Sequence, residues 1–195
     1  MDVLQESMLS IADHVKKITN SLDEVPVNEM INLIQKAQKV FVYGSGRSGL
    51  VGKAFAIRLM HLGINVFVIG DVINPAIVKE DVLIVISGSG ETDTPVNAAK
   101  IAKGAGAKIV AITTYPSSTI AKIADTIVVI KGRTKLKGET DFLLRQIKGE
   151  HYSLAPLGTL FEVSVLIFLD GLIVEMMTRM GKSEDDMRVR HATIE

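Results

Sequence analysis

Through the first twenty positions apolar residues recur at helical spacing: Val3, Leu4, Met8, Ile11, Val15 and Ile18. That period predicts an amphipathic helix over residues 2–20 with one apolar stripe. A second helix is predicted from about Val27 to Ala37, with Pro26 near its start. From residue 40 the texture changes to short β-branched runs: VFVY (40–43), VFVI (66–69), VLIVI (82–86), KIVAIT (108–113) and TIVVI (126–130). These runs are continuously apolar, and helical patterns separate each from the next. Strands of that kind belong to a parallel sheet covered on both faces. The predicted fold class is α/β, a three-layer α-β-α sandwich with a five-stranded parallel sheet over about residues 39–131. Residues 131–152 are polar and mixed and read as a long connection. A long helix from Leu157 to Met180 and a charged tail ending in RVRHATIE close the pattern.

A chain of 195 residues fits one domain. Its core is expected over about residues 28–180, with the helix 2–20 and the tail 181–195 packed on it. Lys+Arg and Asp+Glu both count 22. Such a balance offers no bulk attraction to nucleic acid or anionic membrane, so neither is expected as a partner. The absence of cysteine removes disulfides and thiolate metal sites and suits a reducing, cytoplasmic setting. No signal peptide is visible in residues 1–20. The most apolar stretch, Val163 to Met177, is interrupted by Asp170, Gly171 and Glu175, and reads as a buried helix rather than a membrane span. A helix apolar on nearly all faces, beside an amphipathic first helix, predicts a homo-oligomer, with a tetramer favoured over a dimer.

The candidate chemistry lies in an internal echo. YGSGRS (43–48) and SGSGET (87–92) each follow a strand and each open a helix. Backbone amides at a helix N-terminus lack intrahelical partners and carry partial positive charge, which suits phosphate. Ser87, Ser89 and Thr92 are candidates to converge on a phosphate, unless they serve only as helix caps. Ser45, Gly46, Arg47 and Ser48 form the first loop. If the two preceding strands are neighbours, both loops face one crevice at the carboxyl edge of the sheet. Gly44, Gly46 and Gly49 also match the dinucleotide pattern G-x-G-x-x-G, with Asp71 placed 22 residues beyond Gly49 as a ribose-binding acid or a plain strand-end residue. A dinucleotide site, however, needs only one such loop. The nucleoside-triphosphate loop is excluded, since Gly52-Lys53 is followed by Ala54 and the upstream glycine position holds Arg47.

GSGRS, then SGSGET, then PLGTLFE ahead of a long apolar helix resembles the sugar isomerase (SIS) domain family. With RLMHLG and the terminal RH, the chain is most similar to the 6-phospho-3-hexuloisomerase branch. The stretch 138–153 is longer than that resemblance leads one to expect. The resemblance covers about residue 30 to the end. It implies interconversion of D-arabino-3-hexulose 6-phosphate and D-fructose 6-phosphate through an enediolate, without cofactor or metal.

Such chemistry needs a base to carry a proton between adjacent carbons and a group to move hydroxyl protons. Glu162, in LGTLFE, is the candidate base, and its other reading is charge compensation in the first turn of a helix. The resemblance favours His191 for the second role, with His61 as runner-up. His61 falls late in the helix that begins at the first loop, about 20 Å away, so it reaches a neighbouring subunit's site better than its own. His14 reads as solvated and His151 as surface. Arg47 reads as a substrate contact or a surface pair. No metal-ligand spacing of His, Asp and Glu is present. The competing classes are a phosphosugar-binding sensor without turnover and a nicotinamide-dependent oxidoreductase.

Overall fold

The computed structural model describes residues 2–132 and 155–193. Seven helices and five strands are seen among them. Helix α1 spans Asp2–Thr19 and α2 spans Glu24–Lys36. Then follow β1 (Val40–Gly44), α3 (Arg47–His61), β2 (Val66–Val68), β3 (Val82–Ile86), α4 (Asp93–Gly104), β4 (Lys108–Thr113), α5 (Thr119–Ile123) and β5 (Thr126–Val129). The C-terminal part adds α6 (Thr159–Met180) and α7 (Glu184–Arg188).

The sheet is wholly parallel, in the order β2-β1-β3-β4-β5. Alternate side chains point to opposite faces, and both faces are covered. Val40, Val42, Ile84, Ile86, Val110 and Ile112 pack under α2, α3 and α6. Phe41, Leu83, Val85, Ile109 and Ala111 pack under α4 and α5. This double cover is why the strands read as unbroken apolar runs. Burial is graded along the order: all five residues of central β3 are buried, whereas edge β2 is half-buried and Phe67 stacks on Phe41.

Three expectations need correction. Helix α2 begins at Glu24, because Asp23 accepts a hydrogen bond from the Val25 N–H at 3.0 Å and fixes the start before Pro26. The connection 69–81 carries no helix, although a helix was expected between every pair of strands. Gly70 takes a positive φ of 104°, and Asn74 spends its amide on the Val68 and Asp71 carbonyl oxygens, a local bonding pattern that competes with helix. His14 is half-buried rather than solvated, and its Nε2 donates to the Lys131 carbonyl oxygen at 3.0 Å. Helix α1 packs on α6, yet only Ile18 of its stripe is buried; Val3, Leu4, Met8 and Leu9 stand exposed. Met187 on α7 is buried in the core shared by α2, α3 and α6.

Candidate active site

Two features of the sheet build the crevice. The chain leaves β1 toward β2 on one side and returns to place β3 on the other, so the order reverses at the β1–β3 pair. The two strands also end level, Gly44 opposite Ile86. Loops 44–48 and 87–92 therefore emerge side by side. Helices α3 and α4 then run back along opposite faces, with both N-termini at the crevice. The hydroxyls of Ser45 and Thr94 share a hydrogen bond of 2.9 Å across it.

In the first loop, Gly46 is the N-cap of α3 with φ 58° and ψ −131°. A Cβ at that position would meet nothing within 4 Å, so backbone conformation rather than crowding calls for glycine, and the amides stay open to an approaching anion. Crowding explains Gly49, whose Cβ would stand 2.6 Å from the Gly44 carbonyl oxygen. The dinucleotide-like spacing thus has a local cause at each glycine: a positive φ at Gly46, and tight packing of helix against strand end at Gly44 and Gly49. Asp71 forms a 3.0 Å ion pair with Lys53, both half-exposed. Ser48 is buried in the first turn of α3, while Ser45 is partly exposed.

In the second loop, Ser87 is buried and its Oγ accepts from the Gly90 N–H at 3.2 Å, leaving its own O–H to donate. Ser89 Oγ accepts from the Glu91 N–H at 3.3 Å and lies 3.5 Å from Thr92 Oγ1. Thr92 is the N-cap of α4, but its side chain makes no capping bond. Neither α3 nor α4 is capped by the side chain of its N-cap residue. Simple capping therefore does not account for Thr92.

Helix α6 brings the carboxylate. Gly158, its N-cap, is left-handed with φ 92°, and its carbonyl accepts the Glu162 N–H at 3.0 Å. Glu162 sits in the first turn with its side chain only 13% exposed, and Oε2 is ion-paired with Arg47 Nε. Arg47 opens α3 and remains 62% exposed. Of the two readings of Arg47, the structure shows the pair, and that pair ties the acid to the first loop.

The histidines gather elsewhere. His61, the last residue of α3, is buried, and the tail returns so that His191 stacks on it with ring centroids 3.8 Å apart. A 15-residue helix is about 22 Å long, so this pair stands at the far end of α3 from Arg47. Within one protomer the expected site residues thus divide into a crevice group and a histidine group. His151 and the stretch 138–153 lie outside the described residues.

Three residues of the site went unread in the sequence. Thr94 follows the SGSGET motif closely enough to share its helix turn, and Glu91 lies inside that motif. Gly158 was part of LGTLFE, but only its φ reveals how it admits Glu162. Among the described residues no three His, Asp or Glu side chains cluster as metal ligands, and no helix is long and apolar enough to cross a membrane.

Comparison with known proteins agrees with this architecture. The family model described as the SIS domain matches residues 33–144. An uncharacterized protein of Archaeoglobus fulgidus is 48% identical, over 95% of this chain and 96% of its own. A protein of Mycobacterium gastri named 3-hexulose-6-phosphate isomerase is 36% identical, over 100% of this chain and 92% of its own. A crystal structure from Methanococcus jannaschii, from which its authors inferred a 3-hexulose-6-phosphate isomerase function, is 33% identical. It covers 100% of each chain, with a TM-score of 0.78.

Proposed function

The chain belongs to the SIS domain family, and on that premise we propose that it is a phosphosugar isomerase interconverting D-arabino-3-hexulose 6-phosphate and D-fructose 6-phosphate. The observation that carries the reading is the Arg47–Glu162 pair, a partly buried carboxylate tied to the first of two loops that are bonded to each other across the crevice. A binding protein without turnover needs no general base at that position. The relatives named 3-hexulose-6-phosphate isomerase support the choice of sugar.

The phosphate sits against Ser89 and Thr92, with the Ser87 O–H beneath and the N-termini of α3 and α4 converging on it. Ser45 and Ser48 bind sugar hydroxyls. With the phosphate end fixed, the open chain lays C2 and C3 beside Glu162. Its carboxylate takes the proton from C2 of the 3-ketose, and the electrons move to the C3 oxygen to give a 2,3-enediolate. The O2 proton passes to O3, and Glu162 returns its proton to C3, leaving the ketone at C2. The Arg47 guanidinium faces the negative charge that develops. His191, with His61 behind it, assists at the oxygens from a neighbouring chain, because the pair is too far along α3 to serve its own crevice. The chain assembles as a homotetramer, a reading supported by apolar side chains left exposed on α1 and α6, including Leu4, Met8, Ile167 and Val174.

The test is Glu162→Gln, which keeps shape and removes the base. Turnover is expected to fall about 10²–10⁴-fold while phosphate affinity changes little. Near-normal turnover would move the role to another residue. Loss of deuterium exchange at C2 in the same variant ties the defect to proton abstraction. A change in nicotinamide absorbance on adding NAD(P) and sugar would favour the oxidoreductase instead.

A further inference from the structure

Glu91 poses an electrostatic problem. It lies between Ser89 and Thr92, the hydroxyls assigned above to a phosphate, and a carboxylate beside a dianion weakens binding unless its charge is engaged elsewhere. The structure shows where it goes. Glu91 Oε1 accepts from the Thr119 N–H at 2.9 Å and Oε2 accepts from the Thr119 hydroxyl at 2.6 Å. Both oxygens thus face the first residue of α5.

That contact is one of several between the loop and a single segment, residues 112–120. The Ser87 N–H donates to the Ile112 carbonyl oxygen at 3.0 Å. The Gly88 carbonyl oxygen accepts from the Thr114 N–H at 3.1 Å and the Thr113 hydroxyl at 3.4 Å. The Gly90 carbonyl oxygen accepts from the Ile120 N–H at 3.1 Å. Gly90 itself has φ 66°, and a Cβ there would fall 2.1 Å from Ser118 Oγ, which is buried and caps α5 through the Ala121 N–H. Ser89 and Thr92 are the loop residues with no bond to this segment among those described. Glu91, bonded through its side chain, is the fastener between them.

We propose that Glu91 is a positioning residue for phosphate recognition: its carboxylate clamps the N-terminus of α5 to the loop and so fixes the Ser89 and Thr92 hydroxyls around an anion. The inference rests on the phosphosugar reading of this crevice, but its test does not require turnover. Inorganic phosphate and fructose 6-phosphate are titrated calorimetrically into the full-length protein. Glu91→Ala is expected to weaken both ligands about ten-fold, with kcat within about three-fold of the unmutated protein and KM raised in step with the binding loss. Glu91→Gln keeps an acceptor for the Thr119 N–H and a partner for its hydroxyl, and is expected to recover affinity to within about three-fold. Thr119→Val, which removes only the hydroxyl contact, is expected to give a smaller loss and to add little on top of Glu91→Ala.

Unchanged phosphate affinity in Glu91→Ala would overturn the proposal, as would a fall in kcat at constant KM. If Glu91→Ala fails to fold, full affinity in Thr119→Val together with a ten-fold loss in Glu91→Gln would overturn it equally. Phosphate binding that responds as expected in a protein that isomerises no hexulose phosphate would leave the clamp standing and refute the isomerase reading alone.

Discussion

Replacing Arg47 by methionine separates the two meanings its ion pair can have. The variant keeps much of the aliphatic stem and removes the guanidinium. The pair is lopsided: the Glu162 side chain is 13% exposed and that of Arg47 is 62% exposed. As a surface pair alone it would contribute about 0.2–1 kcal/mol, at most roughly a five-fold effect on any equilibrium. A hydrogen bond to a charged group that must orient the base and meet an enediolate is worth about 1.5–3 kcal/mol, or roughly ten- to a hundred-fold in rate. Water on the exposed side of the guanidinium screens part of this, so the lower end is expected, about ten- to thirty-fold in kcat. Arg47→Lys restores the charge but not the planar fork, and should fall between the variant and the parent. The assay is initial rate at saturating 3-hexulose 6-phosphate with fructose 6-phosphate as product, alongside Tm to show that the fold is intact. If kcat and KM of Arg47→Met both stay within two-fold, the pair is surface chemistry and the charge-stabilising role assigned to Arg47 is wrong.

Ser89→Ala should weaken fructose 6-phosphate binding by roughly ten- to a hundred-fold, because a hydrogen bond to a charged phosphate is lost; calorimetric affinity equal to the parent's would remove Ser89 from the site. Asp125 gives a pH prediction. Burial pushes its carboxyl up, but hydrogen bonds from Lys103, the Ile109 N–H and Lys108 outweigh that and hold it below the usual carboxylate range. Its stabilising contribution is therefore present above the ordinary carboxylate pKa and is lost as pH falls through the lowered folded value. Asp125→Asn should cost about 1 kcal/mol at pH 7 after solvent screening and flatten the fall of Tm as pH drops below about 4, the ordinary carboxylate pKa; an equally steep fall in the variant would contradict this. Sedimentation at micromolar concentration should give the mass of a tetramer, and a monomer would leave the exposed faces of α1 and α6 without a role.

The sheet was legible in the sequence because its strands are buried on both faces, which writes an unbroken apolar run at each one. Loop adjacency was legible only conditionally, since nothing in the runs says whether β2 or β3 lies beside β1 on the crevice side; in fact both flank it. The helix expected between β2 and β3 failed because the residues after Val68 bond their own backbone through Asn74. Glu162 is a candidate through its motif, yet its partner lies 115 residues away, and no local pattern records an ion pair of that span. The same holds for Glu91 and Thr119, 28 residues apart. The histidine stack needed a tail whose docking depends on Met187 entering the core, one apolar residue in a charged stretch.

The order in which β1 gains its neighbours bears on synthesis. Both strands that pair with β1 follow it in the chain, and β3, the one that seals its inner edge, is not finished until residue 86. A nascent chain that has just released β2 therefore presents a row of unpaired N–H and C=O groups along VFVYG, flanked by side chains destined for the core. Such an edge is a template for pairing with another chain. The interval ends when VLIVI emerges and closes it, so slow translation between residues 69 and 81 would lengthen the period of greatest aggregation hazard.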